Sequence, residues 1–229
     1  MKFKAVFFDV DNTLYDSTLQ VAMARQNAVR AMIEAGLPRE EEEALKALEG
    51  IVQKHGSNYP NHLNRLIEKF NLPEDPHWIA AGVVAYHNTK TGYLTPYADT
   101  VPTLIALRDR GIKLGVITDG VPVKQWEKLI RLGLHHFFDA VVISGSVGIE
   151  KPAVKPFEEA LARTKVKPKE ALMVGDRLDK DVEGAHAAGL YAAQIVQGKH
   201  SDKKPANTLQ EPDYLISRLR DVLSITENP

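Results

Sequence analysis

The sequence predicts an α/β fold: a parallel-sheet core interrupted by an all-helical insertion. Three observations predict it. Short, continuous apolar runs recur along the chain; each is followed by turn residues and a helical pattern; and one long stretch near the N-terminus has no strand pattern at all. Continuous rather than alternating apolar runs mark strands covered on both faces, as parallel strands are when crossover helices pack on either side.

The strands are expected at Ala5-Val6-Phe7-Phe8, Lys113-Leu114-Gly115-Val116-Ile117, Ala140-Val141-Val142-Ile143, Ala171-Leu172-Met173-Val174 and Ala192-Ala193-Gln194-Ile195-Val196. Between them, Leu104, Leu107 and Arg108 lead to a helix stop at Gly111, and Phe157, Ala160 and Leu161 mark another helix. Residues 17–92 are too long for an ordinary crossover. Within them, Leu19, Ala22, Met23, Val29 and Ile33 form one face of a helix ending at Gly36-Leu37-Pro38. Leu45, Leu48 and Val52 mark a second helix after the acidic run Glu40 to Glu43, and Leu63, Leu66, Ile67 and Phe70 a third. A fourth runs from about Trp78 to Tyr86, after the break at Asn71-Leu72-Pro73. An antiparallel bundle buries four such faces most economically. The expected organisation is therefore a core of residues 1–16 and 93–229 with a helical domain at 17–92.

Composition narrows the function. The net charge of −1 and the lack of a long basic stripe argue against a nucleic-acid partner. The basic stretch Lys199 to Lys204 abuts Pro205 and is read as a solvated loop. With no cysteine, thiolate catalysis and thiolate metal sites are excluded, so any metal must be held by oxygen or imidazole. The N-terminal apolar run stops at Asp9, short of a signal core or a membrane span, so a cytoplasmic protein with no membrane partner is expected.

The string Phe7-Phe8-Asp9-Val10-Asp11-Asn12-Thr13-Leu14 puts two carboxylates at the carboxyl end of a buried strand, the edge where open α/β sheets bind ligands. Two acids this close need a shared proton or a cation between them. Hard oxygen donors favour magnesium. A calcium loop is a competing reading of the same string, and it fails: Leu14 stands where that loop needs glycine, and Gln20 where it needs glutamate.

Three further segments follow later strands. Thr118-Asp119-Gly120 offers a hydroxyl and backbone N–H groups to phosphate oxygens. Glu150-Lys151-Pro152 supplies an ammonium that can neutralise a nucleophile and a phosphate together. Gly175-Asp176-Arg177-Leu178-Asp179-Lys180-Asp181 adds carboxylates able to support a metal. Each segment alone has a plainer reading, as a turn, a solvated lysine or an acidic helix start.

Together, in this order, the four segments resemble the four motifs of the haloacid dehalogenase superfamily of phosphohydrolases, from Phe3 to about Val196. The resemblance implies a Rossmann-like core with a helical cap inserted after the first motif. It also implies a phosphatase of small phosphorylated metabolites that passes through a phosphoryl-aspartate on Asp9. By the same match Asp11 is general acid and base, Thr118, Asp119, Gly120 and Lys151 bind phosphate, and magnesium is held by Asp9, the Asp11 backbone carbonyl, Asp176 and, directly or through water, Asp181.

Dehalogenation in the same superfamily needs no metal, and members that perform it lack the second carboxylate of the first motif; Asp11 argues against it. Phosphosugar mutases keep both acids and stay open as an alternative. A phosphonate-cleaving enzyme would need a cap amine such as Lys46, Lys54, Lys69 or Lys90. A non-catalytic receiver-like module would lack both the insertion and Asp11. Candidates to read the substrate from the cap or its linkers are Tyr15, Asn58, Tyr59, His62, Tyr86, His87 and Lys90.

Overall fold

The structure, a computed structural model, describes residues 3–227; Met1, Lys2, Asn228 and Pro229 of the expected core lie outside the described residues. The side chain of Lys199, in the basic stretch, lies outside them too. Among the described residues six parallel strands form one sheet: β1 Ala5–Phe8, β2 Lys113–Thr118, β3 Ala140–Ile143, β4 Ala171–Gly175, β5 Tyr191–Ile195 and β6 Tyr214–Ile216. Their order is β3-β2-β1-β4-β5-β6. The chain builds outward from β1 on one side and then crosses to the other, so the direction of winding reverses between β1 and β4.

Both faces of the sheet are dry. Val6 and Phe8 point to one face with Leu114, Val116, Leu172 and Val174, while Ala5 and Phe7 point to the other with Ile117, Met173 and Phe157. That two-sided burial is why the strands read as unbroken apolar runs. The edge strand β6 was not expected. It is only three residues long and leaves Leu215 67% exposed, so it carries no apolar run to find.

Helices are α1 Ser17–Glu34, α2 Glu41–His55, α3 His62–Lys69, α4 Pro76–Gly92, α5 Thr100–Asp109, α6 Pro122–Arg131, α7 Ser144–Val147, α8 Lys155–Thr164, α9 Glu183–Ala187 and α10 Val222–Glu227. The chain divides into two compact units, one holding the sheet and running up to Ser17 and onward from Leu94, the other spanning Thr18–Tyr93. Among the described residues, no helix is long and apolar enough to cross a membrane.

The helical unit has its own core of Val29, Met32, Leu37, Ala44, Leu48, Ile51, Leu66 and Ile67. Of the expected face of helix α1, Val29 is buried and Met23 and Ile33 are half-buried, but Leu19 and Ala22 are exposed, and the helix also buries Gln20, Ala24, Ala28 and Met32. Gln20 stays buried because its amide donates to the Lys90 carbonyl at 2.7 Å. Helix α4 buries Gly82, where a Cβ would lie 2.8 Å from Leu63 and from Met32, while its apolar Val83 and Val84 are exposed.

Candidate active site

The ends of three adjacent strands build the site. Asp9 follows β1, Thr118 closes β2, and Asp176 follows β4. Register sets their spacing: Phe8 lies opposite Val116 on one side and Val174 on the other, and the Asp9 N–H donates to the Val174 carbonyl at 2.9 Å. Asn12, just beyond, adopts φ of 56°, a left-handed conformation that asparagine tolerates better than most residues. The turn this makes lets the Asn12 amide donate to Asp176 at 3.2 Å and accept from Ser17 at 2.9 Å.

Asp181 reaches the same place by an irregular route. Residues Leu178–Val182 form a wide π-helical turn, a feature enriched at functional sites. The turn brings the Asp181 carboxylate back over Gly175, where a Cβ would sit 2.2 Å from Oδ2. Only glycine fits there. Lys151 then bridges the two acids: its Nζ lies 2.7 Å from Asp9 Oδ1 and 2.6 Å from Asp181 Oδ1, and it also donates to the Ile117 carbonyl at 2.9 Å. All four charged groups are nearly enclosed, with Asp9 8%, Lys151 4%, Asp176 3% and Asp181 1% exposed.

The electrostatics of this cluster are unbalanced. Carboxylate oxygens of Asp9, Asp176 and Asp181 lie within 4.8 Å of one another, and the Lys151 ammonium pairs with two of them, Asp9 and Asp181. Burial pushes the Asp9 carboxyl up to about 7; Lys151 opposes this, and Asp181 and Asp11 add to it. Burial, followed by repulsion from Asp9 and Asp181, pushes Asp176 up to about 8. Lys151 itself is held well above the usual lysine range, because attraction from Asp181 and Asp9 outweighs its burial. Three carboxylates facing one ammonium take up protons unless a multivalent cation replaces them. The donor set is all oxygen, and it fits a hard divalent ion.

The other expected phosphate ligands have additional partners. Asp119 Oδ1 accepts from the Lys151 N–H at 3.0 Å and Oδ2 from Lys180 Nζ at 2.8 Å, so its carboxylate organises two lysines. The Gly120 N–H donates to Ser144 Oγ at 2.9 Å. Thr118 is buried at the strand end, one residue beyond the Ile117 carbonyl that Lys151 touches.

Asp11 stands apart from the buried cluster, with its side chain 39% exposed. Burial tends to raise it, but the Lys128 ammonium, its hydrogen bonds and the Tyr15 hydroxyl outweigh that and hold Asp11 below the usual carboxylate range. Lys128 was not singled out from sequence. The signal was there: with Gln125, Leu129 and Leu132 it occupies the inward stripe of an amphipathic helix, an unusual place for a lysine. Tyr15, one of the candidates on the cap or its linkers, donates to Asp11 Oδ1 at 2.6 Å.

The remaining candidates belong to the helical unit. Tyr59 stacks on His55 and meets His62 edge-on, and Lys90 lies 5.7 Å from the Tyr86 ring centroid. Asn58 and His87 are exposed, as are Lys46, Lys54 and Lys69.

Comparison with known proteins gives a consistent picture. The haloacid dehalogenase-like hydrolase family matches residues 3–189. A glyceraldehyde 3-phosphate phosphatase of Methanopyrus kandleri is 52% identical over 224 residues, covering 97% of this chain and 96% of the relative. The enzyme of the same name from Methanothermobacter thermautotrophicus is 45% identical, covering 96% and 99%. Among solved structures, a HAD phosphatase from Thermococcus onnurineus superposes with a TM-score of 0.67 at 29% identity, covering 98% of both chains. With its motifs gathered at one edge of the sheet and relatives this similar along nearly its whole length, this chain belongs to the haloacid dehalogenase-like hydrolase family.

Proposed function

We propose that this chain is a magnesium-dependent phosphatase of small phosphorylated metabolites, with glyceraldehyde 3-phosphate as its first candidate substrate. The observation that carries the reading is the buried cluster of Asp9, Asp176 and Asp181 at the carboxyl edge of the sheet, with Lys151 bridging Asp9 and Asp181. The relatives named for that substrate support the choice.

Asp9, Asp176, Asp181 and the Asp11 backbone carbonyl would hold the ion, Asp181 directly or through water. Bound there, magnesium would supply positive charge to the carboxylates and to the phosphate oxygens at once. Lys151, already 2.7 Å from the nucleophile, neutralises part of the charge that would otherwise repel a phosphate dianion. Thr118 and backbone N–H groups of the following turn orient the phosphoryl group.

In the first half-reaction an Asp9 oxygen bonds to phosphorus as the ester P–O bond breaks, and Asp11 gives its proton to the departing alkoxide. In the second, Asp11 takes a proton from water as the water oxygen bonds to phosphorus and the bond to Asp9 breaks. Inorganic phosphate leaves and both aspartates are restored. We assign residues 17–92 to a cap that selects the substrate, and a cytoplasmic location suits a metabolite enzyme of this kind. Asp11 also weighs against dehalogenation, which needs no second acid.

The test is phosphate release from a panel of phosphorylated sugars, glycolate and amino acids, with magnesium and with excess chelator. Turnover of glyceraldehyde 3-phosphate that stops on chelation and returns with magnesium is the expected result. Turnover unaffected by chelator would remove the metal from the proposal, and interconversion of phosphosugars without phosphate release would replace hydrolysis with mutase chemistry.

A further inference from the structure

The pairing of Asp11 is more elaborate than a surface ion pair. Lys128 Nζ lies 2.8 Å from Asp11 Oδ1 and 2.7 Å from Oδ2, so one ammonium spans both carboxylate oxygens. The Tyr15 hydroxyl reaches Oδ1 from another direction at 2.6 Å. Lys128 is itself located by the Tyr15 ring, whose centroid lies 5.6 Å from Nζ, and its side chain is only 18% exposed. Tyr15 is fixed in turn: it is 1% exposed, and its backbone bridges to Asp11 and to Pro96.

These contacts join segments far apart in sequence. Asp11 and Tyr15 follow β1, whereas Lys128 lies in α6, 117 positions further on. The helix is set against the site by its own inward stripe: Leu129 is fully buried, and the Gln125 amide donates to the Asp119 carbonyl at 2.8 Å. The Gln125–Asp119 bond thus ties the helix that carries Lys128 to the second motif.

We infer that Lys128 and Tyr15 are positioning residues, which hold the Asp11 carboxyl in one orientation for proton transfer to the ester oxygen that leaves in the first half-reaction. Oδ1 accepts from both Tyr15 and Lys128 and Oδ2 from Lys128, so both oxygens are tied and the carboxyl keeps one orientation. Without Lys128 the carboxyl turns about its own bonds, and proton delivery suffers while phosphate binding does not. The inference rests on the assignment of Asp11 as general acid.

Leaving-group chemistry tests it. An alkyl ester must be protonated as it departs, whereas p-nitrophenol is acidic enough to leave as its anion. Lys128→Met should therefore lower kcat/KM for glyceraldehyde 3-phosphate by about 10- to 100-fold but for p-nitrophenyl phosphate by less than about threefold, because only the first substrate needs the acid. Lys128→Arg should restore part of the loss, and Tyr15→Phe should show the same selectivity at smaller size. In an Asp11→Asn background, Lys128→Met should add less than about twofold, since its partner is already gone.

Equal losses on both esters, or undiminished loss in the Asp11→Asn background, would overturn the inference while leaving Asp11 as the acid. An Asp11→Asn enzyme with wild-type turnover of the alkyl ester would instead remove the acid assignment, and the inference with it. If Lys128→Met does not fold, the arginine and phenylalanine variants carry the same comparison of the two esters.

Discussion

The sheet unit and the helical unit bury different things. At the carboxyl edge of the sheet, the chain encloses three carboxylates and a lysine. Among the described residues of the helical unit no charged side chain is buried: its core is aliphatic, and Gln20 is the polar side chain it encloses. Buried charge is expensive unless it is paired or metal-bound, so the first arrangement signals chemistry maintained against stability. The second is ordinary packing, whose loss would be felt as stability rather than catalysis.

Variants can break that contrast, beginning with the largest expected effect. Asp9→Asn should lower turnover by about 10⁴-fold or more, because no other group can take the phosphoryl. Its melting temperature should hold or rise in chelator, since one of the repelling carboxylates is gone. Steady-state kinetics beside thermal melts checks both, and substantial residual turnover would move the nucleophile elsewhere. Asp11→Asn should slow turnover of alkyl esters by about 10²- to 10⁴-fold, the range for loss of a general acid and base.

The helical unit should behave in the opposite way. Leu66→Ala removes a fully buried side chain and should destabilise the protein by about 2–5 kcal/mol. Magnesium affinity measured by calorimetry below the melting range should be unchanged. A weaker magnesium site in this variant would show that the two units are energetically coupled.

The contrast can also be read in the pH dependence of the metal-free protein. Asp9 and Asp176, with folded values of about 7 and about 8 against an ordinary 3.8, hold protons that the unfolded chain has already released. The native state therefore binds more protons than the unfolded state between about pH 4 and about pH 8, and stability falls as pH rises through that window. Magnesium should displace those protons, so its stabilising effect should grow from pH 6 to pH 8. Melting curves in chelator and in magnesium across this range test the sign.

Much of this was legible in the sequence because it is local. Asp9 and Asp176 follow apolar runs, and a strand end is a place that sequence can name. Gly111 and Asn12 sit where the backbone turns left-handed, as their side chains permit. The helical insertion was legible from its length and its lack of strands. The face of α1 was legible only in part: Val29 is buried as its spacing implies, but the buried stripe runs through Gln20, Ala24, Ala28 and Met32 and leaves Leu19 and Ala22 outside.

By itself, then, the sequence determined the sheet-forming runs, the insertion and the residues of each motif, since each depends on neighbours a few positions away. Tertiary structure alone decided that Lys151 bridges Asp9 and Asp181, that Asp119 organises two lysines, and that Lys128 spans the oxygens of Asp11. Those pairings depend on strand order and on how each helix is rotated against the sheet. Both are set by the packing of the whole core, which no local pattern encodes.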